Sequence, residues 1–116
     1  MMPDYCASKA AIQNLTMSLS KALARTGVTV NTVSPGTIRT TRFETWVVEV
    51  GHQLGWEGDV DAMEARFIKE IYPNTVGHAG RVDDIANAVA FLVSPLAGFI
   101  TGANLRVDGG QLQSVN

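Results

Sequence analysis

The sequence predicts an α/β fold built on a parallel sheet, and three observations carry that reading. An amphipathic helical stretch opens the chain, a run of β-branched residues follows it, and a second strand signal comes only after several more helical segments. Two strands joined through helices form a parallel crossover, which is right-handed in nearly every protein.

Each element can be justified in order. Between Tyr5 and Arg25, Ile12, Leu15, Leu19 and Leu23 recur at spacings of three and four, while Asn14, Ser18, Lys21 and Arg25 repeat on another face. This is a long amphipathic helix, with Gly27 placed as its stop. Val28 to Val33 is rich in β-branched residues and mostly uncharged, so it reads as a buried strand ending before Pro35-Gly36. Phe43, Val47, Val50 and Leu54 mark a second helix, and Val60, Met63, Phe67 and Ile71 a third. Gly55 to Asp59 separates them, Asp61 with Glu64 is a start signal, and Pro73 is a stop. A fourth helix begins near Asp83 or Asp84, carries Ile85, Val89 and Leu92 inward, and ends at Ser94-Pro95. Gly102 opens a short strand, Asn104 to Val107, and Asp108-Gly109-Gly110 turns the chain. Sheets average about five or six strands, and parallel ones are covered on both faces. Two strands therefore read as part of a larger sheet.

Composition narrows the function classes. A chain of 116 residues with 46% apolar content suits one small domain with a core. Its formal charge of -2, with acids and bases interspersed, offers no footprint for nucleic acid or an anionic membrane. No apolar run approaches the roughly 20 residues that span a bilayer, and Met1 to Tyr5 lacks the pattern of a signal peptide, so a soluble, cytoplasmic protein is expected. Cys6, the single cysteine, has no partner for an internal disulfide or a zinc pair and reads as a small packing residue. His52 and His78 have no carboxylate or cysteine at ligand spacing, so no metal site is expected.

Four motifs then fall in order. Tyr5-Cys6-Ala7-Ser8-Lys9 is a tyrosine-x-x-x-lysine stretch on the first helix; Asn31 to Thr40 contains Pro35-Gly36-Thr37-Ile38; Asp83 to Ser94 forms the fourth helix; and Ile100 to Gly110 ends in Asp108-Gly109-Gly110. Together they resemble the classical short-chain dehydrogenases/reductases over nearly the whole chain. The resemblance implies the carboxy-terminal half of a Rossmann-like, doubly wound domain, here residues 1–116, with substrate-lid helices at 41–73. The family's glycine-rich turn, its NAD/NADP-selecting residue and its upstream asparagine and serine would all precede Met1. No G-x-G-x-x-G occurs here.

The chemistry explains the spacing of Tyr5 and Lys9. Residues at i and i+4 lie one above the other on a helix, so the Lys9 ammonium can sit near the Tyr5 phenol. A free tyrosine has a pKa of about 10, and a nearby positive charge favours the phenolate. The resemblance implies that Tyr5 is the catalytic acid/base and that Lys9 is its electrostatic partner and a ligand of the cofactor ribose. It likewise implies that Pro35, Gly36, Thr37, Ile38 and Thr40 contact the nicotinamide end of NAD or NADP. Asn31 reads as structural, Ser8 as a cap or packing residue, and His78 stands where arginine is common in the family.

Phe43, Trp46, Trp56, Met63 and Phe67 support two readings equally: lining of an apolar substrate pocket, or helix faces packed on the body. Two functional readings also stand. One is an oxidoreductase acting on a carbonyl or alcohol substrate with NAD(H) or NADP(H), with 3-oxoacyl thioester, polyol, sugar and steroid-type substrates all consistent. The other is a truncated, inactive chain that pairs with itself or a relative. In the family the Tyr5 helix and the last strand region meet copies of themselves, which implies a homo-oligomer, and Ala7, Ala10 and Ala11 would allow close approach.

Overall fold

A computed structural model describes residues 2–113 of the chain. The elements run α1 (Pro3–Ala22), β1 (Thr32–Pro35), α2 (Thr41–Gln53), α3 (Val60–Glu70), α4 (Val82–Leu92), a short 3-10 helix (Pro95–Ala97) and β2 (Asn104–Val107). The described chain divides into two compact units, one of residues 2–34 and 87–105, the other of residues 35–86 and 106–113.

β1 and β2 are paired. Thr32 N–H donates to Ala103 O at 2.9 Å and Gly36 N–H to Val107 O at 3.0 Å, an offset that is constant along both strands and therefore parallel. The expected strand from Val28 to Val33 is displaced: the ladder occupies Thr32–Pro35 and is half-buried rather than fully buried. Side chains explain the shift. Val30 N–H donates to Thr101 Oγ1 at 3.0 Å, and the Asn31 amide spans Ile100 O (2.9 Å) and Ala103 N–H (3.1 Å). These side-chain bonds, with Gly102 N–H donating to Val30 O at 2.7 Å, tie residues 30–31 to residues 100–103 without a regular ladder, and they give Asn31 the structural role expected of it. Farther on, Ser34 Oγ and Asn104 Oδ1 lie 2.6 Å apart across the strands.

α1 starts on Pro3, which needs no N–H donor in the first turn, and ends at Ala22, short of Gly27. A turn follows in which Arg25 takes a left-handed conformation (φ 65°) before Gly27 (φ 82°). Thr16 is the buried residue of this helix, and its hydroxyl meets that of Thr32 at 2.8 Å. Ile12, Leu15 and Leu19, the apolar stripe of the sequence, are exposed. So is Cys6, contrary to its reading as a packing residue. Within α4, Leu92 is buried and Ile85 half-buried, but Val89 is exposed rather than inward. Val89 and Leu92 line an open groove of about 480 Å³ with Thr29, Val30, Asn31, Val33 and Val93.

The second unit holds the tighter core: Phe43, Val47, Trp56, Phe67, Ile68 and Ala79 bury one another. α2 is capped by Thr40, whose hydroxyl accepts from Phe43 N–H at 3.2 Å, and α3 by Asp59, which accepts from Ala62 N–H at 2.9 Å. The start of α3 is thus Asp59, and the expected signal at Asp61 and Glu64 has another use. Gly51 lets the two helices close on each other, since a Cβ there would stand 2.9 Å from Met63 Sδ. Leu54 and Ile71, at the ends of the two stripes, are exposed. No described helix is long and apolar enough to cross a membrane.

Candidate active site

In the first unit, α1 places Tyr5 and Lys9 one turn apart on the same face. Lys9 Nζ lies 5.3 Å from the centroid of the Tyr5 ring, within the range in which an ammonium is attracted to an aromatic face. Tyr5 is 52% exposed, so its phenol is open to a reactant. Lys9 pairs with no described carboxylate, which leaves its charge for the phenol or a bound group. Ser8 Oγ donates to Tyr5 O at 2.7 Å, a local bond within the helix.

The second unit holds the segment from Pro35 to Thr40. Gly36 sits against the turn after β2, where a Cβ would come 2.7 Å from Asp108 Cα. Gln111 Oε1 accepts from both Thr37 N–H (3.0 Å) and Thr37 Oγ1 (3.3 Å). That turn is itself held by Asp108, whose carboxylate accepts from Gly110 N–H at 3.0 Å and Leu112 N–H at 3.2 Å. Burial pushes the Asp108 carboxyl up, but these N–H groups and the Arg106 charge outweigh it and hold the group below its ordinary value.

Ile38 forms a parallel bridge with Gly80: Gly80 N–H donates to Thr37 O at 2.9 Å and Arg39 N–H to Gly80 O at 2.8 Å. In such a bridge the central residue turns its own N–H and C=O to the opposite side. The Ile38 pair has no partner among the described residues. One donor and one acceptor side by side match a primary carboxamide, which needs one of each. The nicotinamide end of NAD or NADP therefore fits the residues present. Thr40 Oγ1 is engaged as the cap of α2.

The lid candidates differ in setting. Phe43, Met63 and Phe67 are buried in the core, whereas Trp46 is 43% exposed. Trp46 and Phe67 meet edge to face at 4.9 Å, Phe43 and Phe67 at 5.7 Å, and Tyr72 stacks on Phe67 at 5.4 Å. Trp56 is buried too, under the Arg66 guanidinium at 4.7 Å. A groove of about 380 Å³ in this unit is lined by Ala65, Ile68, Lys69, Pro73, Asn74 and Gly77, none of them a lid candidate. His52 and His78 are exposed, and no three or more His, Cys, Asp or Glu side chains among the described residues are grouped as a metal site.

Three residues near the Pro35–Thr40 segment escaped the sequence reading. Gln111 carries no local signature. Arg39 follows Pro35-Gly36-Thr37-Ile38 directly, and its side chain bonds Glu44 (2.6 Å) and Asp61 (2.5 Å) and stands 3.1 Å from Glu64. The hydrogen bonds it donates to Glu44 and then Asp61 hold its guanidinium in the charged form even more firmly than usual. Glu64 was detectable, because it shares the apolar face of α3 with Val60 and Phe67 and a charge there needs a buried partner.

A family profile described as enoyl-(acyl carrier protein) reductase matches residues 1–111. The chain is 41% identical over 109 residues to 2-(S)-hydroxypropyl-CoM dehydrogenase 3 of Xanthobacter autotrophicus, covering 94% of this chain and 39% of that protein. It is 38% identical over 107 residues to a 3-oxoacyl-(acyl-carrier-protein) reductase of Haemophilus influenzae, covering 92% and 38%. The chain belongs to the classical short-chain dehydrogenase/reductase family. In structure it is similar to a short-chain dehydrogenase family protein of Francisella tularensis (TM-score 0.78, 32% identity, 92% of this chain and 42% of that one). It is also similar to an NADPH-dependent reductase of bacilysin biosynthesis (TM-score 0.75, 29% identity, 91% and 38%). These neighbours share the Rossmann-like α/β fold of the family. The chain spans about two fifths of the length of the curated relatives it matches.

Proposed function

We propose that the chain is the carboxy-terminal half of an NAD- or NADP-dependent oxidoreductase that interconverts a small-molecule carbonyl and its alcohol in the cytoplasm. The observation that carries the reading is the half-exposed Tyr5 with Lys9 Nζ 5.3 Å from its ring. Tyr5 gives or takes the proton at the substrate oxygen, and Lys9 stabilises the phenolate and holds the cofactor ribose. The Ile38 main chain takes the nicotinamide carboxamide, supported by Pro35, Gly36, Thr37 and Thr40. When bound, the nicotinamide supplies or accepts the hydride. Trp46, the lid candidate with an open ring, is the residue of the α2–α3 pair best placed to meet an apolar substrate, with Phe43, Met63 and Phe67 behind it. Among substrates, 3-oxoacyl thioesters are a candidate class, as one relative's name suggests.

One observation favours a second reading. Ile12, Leu15 and Leu19 form an exposed apolar stripe on α1, which suits a chain that pairs with a copy or a relative through the Tyr5 helix and the last strand region without catalysis.

The two readings part in one experiment. NADH and NADPH binding is measured by calorimetry on the 116-residue chain and on any longer product carrying the same residues, followed by turnover of a 3-oxoacyl thioester. The enzyme reading expects cofactor binding and turnover by the longer product, with Tyr5→Phe abolishing turnover while binding survives. Turnover by Tyr5→Phe at the unsubstituted rate would sink it. A stable dimer of the chain, with no binding by either product, supports the interaction reading.

A further inference from the structure

Arg39 stands between Ile38, which bridges Gly80, and Thr40, which caps α2. Its main chain donates to Gly80 O, and its side chain reaches the first turn of α2 at Glu44 and both Asp61 and Glu64 of α3. One residue thus ties the Ile38 loop to two helices.

The three carboxylates do not count equally. The Asp61 side chain is 71% exposed and that of Glu44 40%, so water can take over for Arg39 at both. The Glu64 side chain is 7% exposed, and its Oε2 has no hydrogen-bond partner. Arg39 Nη1, 3.1 Å away but out of hydrogen-bond alignment, is the one cation beside it among the described residues. A buried carboxylate without its cation is strongly destabilised, so α3 is held where Glu64 can reach Arg39. A planar guanidinium with five donors suits such a hub, and an ammonium on a flexible stem can serve only part of it.

We infer that Arg39 is a positioning residue: it latches the Ile38 loop to α2 and α3 through the buried Glu64 and so fixes the direction of the Ile38 N–H and C=O. The latch stands on its own geometry, and its value for cofactor binding rests on the reading of Ile38 given above.

Hydrogen exchange tests it on the 116-residue chain. Arg39→Met is compared with Arg39→Lys and with Arg39→Met/Glu64→Gln, which removes the stranded charge and keeps the chain folded if the single variant fails. The double variant should retain the helical circular dichroism while exchange at position 39, Phe43 and residues 63–68 speeds up by about tenfold or more, and α1 and 104–107 stay unchanged. Arg39→Lys should restore part of the protection. Unchanged exchange in the double variant, or loss spread evenly into α1 and 104–107, overturns the latch. Titration of NADH and of NADPH into any longer product carrying the same residues separates the two readings. If the unsubstituted protein fails to bind, the Ile38 reading falls and exchange alone decides the latch. If it binds and the double variant binds as tightly, the positioning role falls.

Discussion

Replacing Phe67 by alanine removes the centre of the ring cluster on α2 and α3. Phe67 is wholly buried, meets Phe43 and Trp46 edge to face and stacks on Tyr72. Truncating a buried phenylalanine costs about 3–5 kcal/mol, the lost transfer energy plus the cavity left behind. A small domain holds only about 5–15 kcal/mol in total, so Phe67→Ala should leave the chain marginal or unfolded. Trp46 is 43% exposed. Scaling the burial of a tryptophan by its covered share gives Trp46→Ala a cost of about 2–3 kcal/mol. The milder Phe67→Leu keeps most of the volume and should cost about 1–2 kcal/mol, which leaves a folded protein to compare. Urea unfolding followed by circular dichroism gives all three values. The order decides between the two readings of these side chains. Core packing predicts that Phe67→Ala is the costlier change by a clear margin. A substrate wall at Phe67 predicts little loss of stability and a larger loss of substrate affinity. If Phe67→Ala cost less than about 1 kcal/mol, the packing argument would fail.

Two further outcomes follow from the turn after β2. The folded pKa of Asp108 is depressed, so its contribution to stability is present above the unfolded value of about 4 and is lost as pH falls through the folded value. Urea midpoints should therefore drop on acidification in that range, and Asp108→Asn should flatten the drop; an unchanged slope would rule Asp108 out as its source. Gly36→Ala forces a Cβ to 2.7 Å from the Asp108 backbone, which cannot yield as a flexible side chain would, and should cost about 1–3 kcal/mol in the same assay. A neutral result would show that the turn and the Pro35–Thr37 segment move apart freely.

What the sequence disclosed follows from where each signal is written. α2, α3 and β2 were readable because their signals are local: apolar residues at helical spacing, a proline stop, a glycine before the strand. β1 was misplaced because the extent of a strand is decided by its neighbour. The β-branched run from Val28 was real, but Asn31 and Thr101 side chains serve the backbone there, and the ladder begins only at Thr32. Val89 on α4 and the Ile12, Leu15 and Leu19 stripe of α1 look inward by periodicity. Burial depends on what covers a face, and the described elements cover these only in part.

The candidate site divides along the same line. Tyr5 and Lys9 were legible because a spacing of four on a helix is already a distance, and the structure returns it as a ring and an ammonium in contact. The contact proposed for Ile38 would be made by the main chain, which has the same donor and acceptor at every residue, so the resemblance of Pro35-Gly36-Thr37-Ile38 pointed to it and no residue type by itself could. Its direction is fixed by the bridge to Gly80 and, on the latch inferred above, by Arg39, which reaches Glu64 far along the sequence. Glu64 lies between these cases. Its place on the apolar face of α3 shows that a partner must exist, but only the fold brings Arg39 to it. A charge on an apolar stripe is thus better read as a demand for a distant cation than as a helix-start signal, and here that demand leads back to the loop beside the proposed nicotinamide contact.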